Sequence, residues 1–122
     1  MSEKTVKKIA FSEVQCTKHL SAMEDALFVV GGKWRLRVMI AVLSGHTRFN
    51  DLQRTITGIS ARVLSGELKD LEQNGLIKRT VDVKQKPVVV EYVPTDYSKT
   101  LKEVIEPLAE WGRNHKKKIM KA

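Results

Sequence analysis

A chain of 122 residues with 42% hydrophobic and 30% charged positions matches a single soluble globular domain. Its 22 Lys and Arg against 14 Asp and Glu leave a net charge of +8, a balance that attracts polyanions, nucleic acid before anionic membrane. No apolar run approaches the ~18 residues of a membrane span, MSEKTVKKIA lacks a signal-peptide core, and a single cysteine excludes an intrachain disulfide, so a cytoplasmic protein with no membrane partner is expected.

In chain order, residues 1–15 carry Lys4, Lys7 and Lys8 with little periodicity, which predicts a mobile basic arm at least as far as Phe11. From His19 to Val30 the residues Leu20, Met23, Leu27 and Val30 recur on one helical face, with Glu24 and Asp25 outward, and Gly31-Gly32 ends the helix. Lys33 to Leu43 predicts a second helix, apolar nearly all round. Leu36, Met39, Ile40 and Leu43 face one way and Trp34, Val38 and Ala41 the other, as in a helix buried between layers. Lys33, Arg35 and Arg37 crowd its first half, where an arginine either snorkels to the surface or meets a phosphate or a carboxylate. Ser44-Gly45-His46 is a turn.

Arg48 to Gly75 reads as two short amphipathic helices joined by a tight turn. Phe49, Leu52 and Ile56 keep helical spacing until Thr57-Gly58 breaks it. Ser60 is placed to cap a second helix, with Ile59 before it able to staple onto Leu64. Leu64, Leu68 and Leu71 form one narrow stripe, and the opposite side carries Arg62, Ser65, Gly66, Lys69 and Gln73. Asn74-Gly75 closes the helix. Such a pair, with a thin basic outer face, suits a major groove; the plainer reading is a helical hairpin with a wet polar side.

After Gly75 the period falls to 2. Leu76–Val81 and Val88–Val93 predict a β-hairpin whose loop carries Lys84, Gln85 and Lys86 near its tip. Three helices followed by a hairpin with a cationic tip make a winged helix-turn-helix, an α+β fold that is mostly α. Thr95 caps a last helix that runs to about His115 or beyond, whose stripe is Tyr97, Leu101, Val104, Ile105, Leu108 and Trp111 and which Pro107 should kink. That stripe either packs back on its own domain or, with the helix at residues 20–30, builds a two-fold dimer interface, the arrangement favoured here. Residues 113–122, with Arg113, Lys116, Lys117, Lys118 and Lys121 and no acid, form a basic tail, either a frayed solvated end or a secondary phosphate contact.

The inventory argues against an enzyme. His19, His46 and His115 lie in unrelated segments, and no glycine-rich phosphate loop or paired-carboxylate motif is present. Cys16 and His19 have ligand spacing, but a closed zinc site needs four ligands, so neither a metal nor another cofactor is expected. For DNA binding, Arg62, Ser65 and Lys69 are assigned to base edges or nearby phosphates, with Arg62 best suited to a bidentate contact with guanine. Arg48 and Ser60 are assigned to backbone phosphates at the turn, and Lys84, Gln85 and Lys86 to the wing contact; Lys33 and Arg54 are weaker phosphate candidates. Cys16 is either a small buried hydrophobe or a reactive thiol with Lys18 and His19 supplying positive charge beside it.

Gly31-Gly32-Lys33-Trp34, Arg48-Phe49-Asn50-Asp51-Leu52, Gly58-Ile59-Ser60, Gly75-Leu76-Ile77-Lys78-Arg79, the run Pro87 to Tyr92, Thr95 and Trp111-Gly112 stand in register over residues 16–112. With Cys16 near the start, this series resembles the HxlR-type helix-turn-helix regulators. The resemblance implies a bacterial-type homodimeric transcription regulator with a winged-helix fold, dimerising through its terminal helices. It also implies that Cys16 matches the residue through which some of these regulators sense oxidants or electrophiles. Three positions depart from the family pattern: Thr17 stands where proline is usual after the cysteine, Gly66 where a longer polar side chain is usual, and Pro94 precedes Thr95 in place of leucine. The expected function is therefore a homodimeric regulator on an inverted-repeat DNA operator, with Cys16 a candidate redox sensor and a small-molecule or oxidant effector. The alternative, which Gly66 favours, is a dimeric winged-helix small-molecule-binding or scaffold module without operator recognition; a basic membrane-surface protein using the lysine-rich tail is a third class.

Overall fold

Ser12 starts the first helix. In the computed structural model, which describes residues 10–121, helix α1 (Glu13–Val30) opens on a capping box. The Ser12 hydroxyl accepts a hydrogen bond from the Gln15 N–H (3.1 Å), and the Gln15 side chain accepts one from the Ser12 N–H (3.0 Å). The helix thus begins at Glu13 and not at His19, which corrects the arm expected over residues 1–15: its last residues are helical, and residues 1–9 lie outside the description. Glu13, Gln15 and Thr17 carry no apolar period, so the cap and not hydrophobic spacing marks the start.

The chain divides after Gly32 into two compact units. Within the first, α1 buries no residue, and Val14, Leu20, Met23, Leu27 and Phe28 are all exposed. The second unit runs through α2 (Arg35–Leu43), α3 (Phe49–Thr55), α4 (Ala61–Gln73), strands β1 (Ile77–Asp82) and β2 (Val89–Pro94), a 3-10 turn (Tyr97–Leu101) and α5 (Lys102–Lys121). This is the three-helix core and hairpin wing expected of a winged helix-turn-helix.

The core of the second unit gathers Val38, Met39 and Val42 of α2, Leu52 of α3, the Leu64, Leu68 and Leu71 stripe of α4, and Leu76 and Ile77 at the start of the wing. Val38 and Met39 are wholly buried and Ala41 nearly so, whereas Ile40 is 44% exposed. Only part of the apolar circumference of α2 is therefore core. Its Leu36–Ile40 side forms a groove with Ile105, Leu108 and Ala109 of α5.

Two turns hold the strands to the helices. At the end of α4, the Leu76 N–H bonds to the Leu71 carbonyl (3.0 Å) and the Gly75 N–H to that of Glu72 (3.0 Å), a Schellman closure. It needs a left-handed residue, and Gly75 supplies it at φ 76°, while Asn74 keeps a negative φ. The Thr95 hydroxyl donates to the Gly75 carbonyl (2.6 Å) and accepts from the Ser98 N–H (3.2 Å), and buried Ser98 donates to the Thr95 carbonyl (2.7 Å). The residue directly before the last helical segment is Asp96, which makes no side-chain cap, and Thr95, the expected cap, bonds into the first turn from one position earlier; that turn is 3-10 and α follows from Lys102. α5 passes through Pro107 and continues to Lys121, so the basic tail after residue 112 is helical and not a frayed end. Trp111 stacks on His115 (5.1 Å between ring centres) and Arg113 pairs with Glu110 (2.7 Å) along it.

The hairpin pairs antiparallel from Ile77↔Pro94 to Asp82↔Val89, one residue later in both strands than spacing alone indicates. Tyr92 on β2 also donates its N–H to the Thr47 carbonyl (2.8 Å), tying the wing to the segment that enters α3. Among the described residues no helix is long and apolar enough to cross a membrane.

Leu68 is essentially fully buried at the centre of the α4 stripe. Leu68→Ala is expected to lower the free energy of unfolding by ~2–5 kcal/mol, read from the midpoint of urea denaturation at unchanged slope.

Candidate DNA-binding surface

The α3–α4 pair is closed by a turn that only glycine fits comfortably. Gly58 adopts φ 89°, and a Cβ there would lie 3.8 Å from the Trp34 ring, so the residue just before α2 packs under the turn. The Ile59 N–H bonds to the Ile56 carbonyl (3.2 Å), and Ser60 caps α4 by accepting from the Val63 N–H (3.1 Å). Ile59 and Leu64, the proposed staple, are both buried. Capping occupies a lone pair of the Ser60 oxygen and leaves its proton free to donate outward.

With Leu64, Leu68 and Leu71 inward, Arg62, Ser65, Gly66 and Lys69 stand exposed on the outer side of α4. A Cβ on Gly66 would meet nothing within 4 Å, so this face has an open notch at its middle. The structure therefore brings the three expected base-reading residues onto one helical face.

The flanking candidates differ in how free they are. Arg48 precedes α3 without a side-chain cap, and its Nε lies 3.9 Å from the Glu91 carboxylate of β2, which also accepts from the Thr47 hydroxyl (2.8 Å). That carboxylate holds part of the charge Arg48 would bring to a phosphate. At the wing tip Lys84, Gln85 and Lys86 are exposed, but the Gln85 amide donates to Asp82 (3.2 Å) and the Lys84 N–H to the same side chain (3.0 Å). Among the described residues the two lysine ammonium groups there have no ion-pair partner. Lys33 and Arg37 lie over the Trp34 ring, at 4.8 and 5.3 Å. Arg54 pairs with Asp51 (3.5 Å), which also takes the His46 Nδ1 (2.7 Å).

The device that orients α4 was only half visible in the sequence. Arg35, at the start of α2, reaches Asp70 (2.6 Å) and Glu67 (3.4 Å), one helical turn apart on α4, with its side chain 19% exposed. An arginine in an otherwise apolar helix announces a counter-charge, and the i, i+3 carboxylates Glu67 and Asp70 are the signal that identifies it. Of the two readings open for that residue, the carboxylate one holds.

Cys16 lies on α1 and is free and exposed, not a buried hydrophobe. His19 packs its ring edge-on against Phe11, with centres 4.5 Å apart. Among the described residues no three His, Cys, Asp or Glu side chains gather as a metal site.

The chain is similar to known proteins in sequence and in fold. The sequence model of the HxlR-like helix-turn-helix family matches residues 29–120. The Bacillus subtilis protein YdeP, an HTH-type transcriptional regulator, is 36% identical over 99 residues, covering 81% of this chain and 77% of that one. The redox regulator HypR in its reduced form superposes with a TM-score of 0.75 at 32% identity, over 83% of this chain and 99% of that one. Quinone-bound YodB from B. subtilis does so with a TM-score of 0.64 at 29% identity, over 77% and 98%.

Arg35→Ala strands two carboxylates on the inner side of α4. The expected cost is ~1–3 kcal/mol of stability, less than for a fully buried pair because both partners keep some solvent. Adding Glu67→Gln and Asp70→Asn should recover most of it in the same denaturation experiment.

Proposed function

The chain belongs to the HxlR-like helix-turn-helix family of transcriptional regulators, and on that premise we propose that it acts as a homodimer that reads a two-fold symmetric DNA operator. The observation that carries this reading is the outer face of α4, where Arg62, Ser65 and Lys69 are exposed over a stripe of buried leucines. With α4 in the major groove, Arg62 forms the bidentate contact to guanine, and Ser65 and Lys69 reach neighbouring base edges or phosphates. Ser60, with its free proton, and Arg48 hold the backbone at the turn, and Lys84 and Lys86, with Gln85 between them, hold the flanking phosphates or minor groove. Exposed Leu20, Met23 and Leu27 on α1, and separately Val104, Leu108 and Trp111 on α5, are apolar faces for a second protomer to cover. Such a dimer sets its two α4 helices roughly 34 Å apart, on successive major grooves.

Cys16 is the sensing residue in this proposal. It is exposed on a helix assigned to the dimer contact, and two of the similar structures are of a protein named a redox regulator and of one bound to a quinone. Two Cys16 thiols, one from each protomer, lose two electrons and two protons to an oxidant and form one intersubunit S–S bond. That bond resets the spacing of the two α4 helices and with it the affinity for the operator.

Selection from a library of random duplexes at two salt concentrations tests the first part. Wild type should enrich an inverted repeat; Arg62→Ala should lose ~1–3 kcal/mol of discrimination at one base position and keep its salt-dependent background. No enriched motif, with both proteins binding alike, would favour the scaffold reading that the Gly66 notch suggests. Diamide tests the second part. Wild type should run as a thiol-reversible dimer on a non-reducing gel and change its operator affinity, its diazene oxidant being reduced to the hydrazine, while Cys16→Ser should do neither.

A further inference from the structure

A cavity of about 320 Å³ opens between α2 and the α3–α4 turn, at the small end of the ~300–1,000 Å³ typical of small-molecule sites. Ile40, Ala41 and Ile56 make its apolar wall, and Arg37, His46 and Thr55 stand around it. The polar groups are unevenly committed. His46 gives its Nδ1 to Asp51 (2.7 Å), with the Thr55 hydroxyl 3.4 Å away on the same nitrogen, which leaves Nε2 without a protein partner among the described residues. Arg37 has no carboxylate within ion-pairing distance among the described residues, and its guanidinium rests beside the Trp34 ring at 5.3 Å. No carboxylate lines the cavity. An apolar wall with an uncompensated, pre-placed cation at its edge selects one kind of occupant, an apolar body ending in an anionic group.

The geometry points to this cavity as an effector site for a small organic carboxylate of aromatic or alicyclic body, held by Arg37 and acting on DNA binding through the helix-turn-helix turn. Ile56 and Thr57 are both lining residues and the first residues of that turn, and the Ile56 carbonyl takes the Ile59 N–H, immediately before the Ser60 cap of α4. A body seated against Ile56 and Thr57 therefore bears on the segment that aims the N-terminus of α4. The binding half stands on the cavity alone, and the regulatory half rests on the operator-reading function proposed above.

The test titrates the full chain with benzoate, and in parallel with benzyl alcohol, which has the same ring without the charge, and follows amide and methyl NMR signals. Saturable shifts should centre on Ile40, Ala41, Ile56 and Thr57, with benzoate binding at least about fivefold tighter than the alcohol, roughly 1 kcal/mol. Arg37→Gln should erase that difference, and Thr55→Phe, which adds a ring to the lining, should weaken both probes; the spectra themselves report that each variant is folded. Shifts that fail to saturate, scatter over the surface or survive unchanged in Arg37→Gln overturn the site. Saturating benzoate should then change affinity for the enriched operator about fivefold or more in wild type and not in Arg37→Gln. Binding without that change overturns the regulatory half. If no operator can be enriched, the operator-reading function fails by itself and the NMR titration still decides the cavity.

Discussion

The grip of Arg35 on Glu67 and Asp70 is the contact on which the working surface depends. Leucines at 64, 68 and 71 bury one side of α4, but apolar contact is non-directional and tolerates rotation of a helix about its axis. A guanidinium is more exacting, because its planar fork has to hydrogen-bond Asp70 while staying within ion-pairing reach of Glu67. With Asp70 at 2.6 Å and Glu67 at 3.4 Å, one arginine sets both the rotation and the height of α4 against α2. Arg62, Ser65 and Lys69 then face outward as a consequence.

The same logic orders the parts around α4. Its N-terminus is set by Ser60 and the Gly58 turn, which leans on Trp34. Its C-terminus is set by Gly75, whose carbonyl is held by Thr95 twenty residues later. The wing is bound at its base by that bond and on its edge by the Thr47 carbonyl, with Glu91 joining Thr47 and Arg48 in one polar cluster. Each joint uses few groups, paired within the protein.

The charge of the surface is distributed to match. Four acidic residues beside the helix-turn-helix and the wing are held in inward or local pairs: Glu67 and Asp70 on Arg35, Asp51 on His46 and Arg54, Glu91 on Thr47 and Arg48. The cations that remain without such partners include Arg62 and Lys69 on α4 and Lys84 and Lys86 on the wing. The excess of eight positive charges over the whole chain is thus locally reinforced on this side, where the nearby carboxylates are paired. Arg37 is left over by the same arithmetic, at the edge of a cavity with no acid in its lining.

Local chemistry was legible in the residues themselves. The Ser60 cap, the leucine stripe of α4, the glycines at 58 and 75 and the change of period into the hairpin each rest on interactions within a few positions, so the chain alone determined them. The series of motifs in register added the family, and the family model confirms it. The limits of that reading are equally physical. The start of α1 rests on a capping box in a stretch without apolar period, and α5 continues to Lys121 through a lysine-rich run whose composition left a frayed end and a phosphate contact both open. Which of Lys33, Arg35 and Arg37 would find carboxylates, that Ile40 would leave the core, that Glu91 would share the charge of Arg48 and that a cavity would open beside Arg37 are matters of which surfaces meet. Those meetings join residues tens of positions apart, and only the tertiary structure decides them, because periodicity names the face of a helix but not the neighbour it faces.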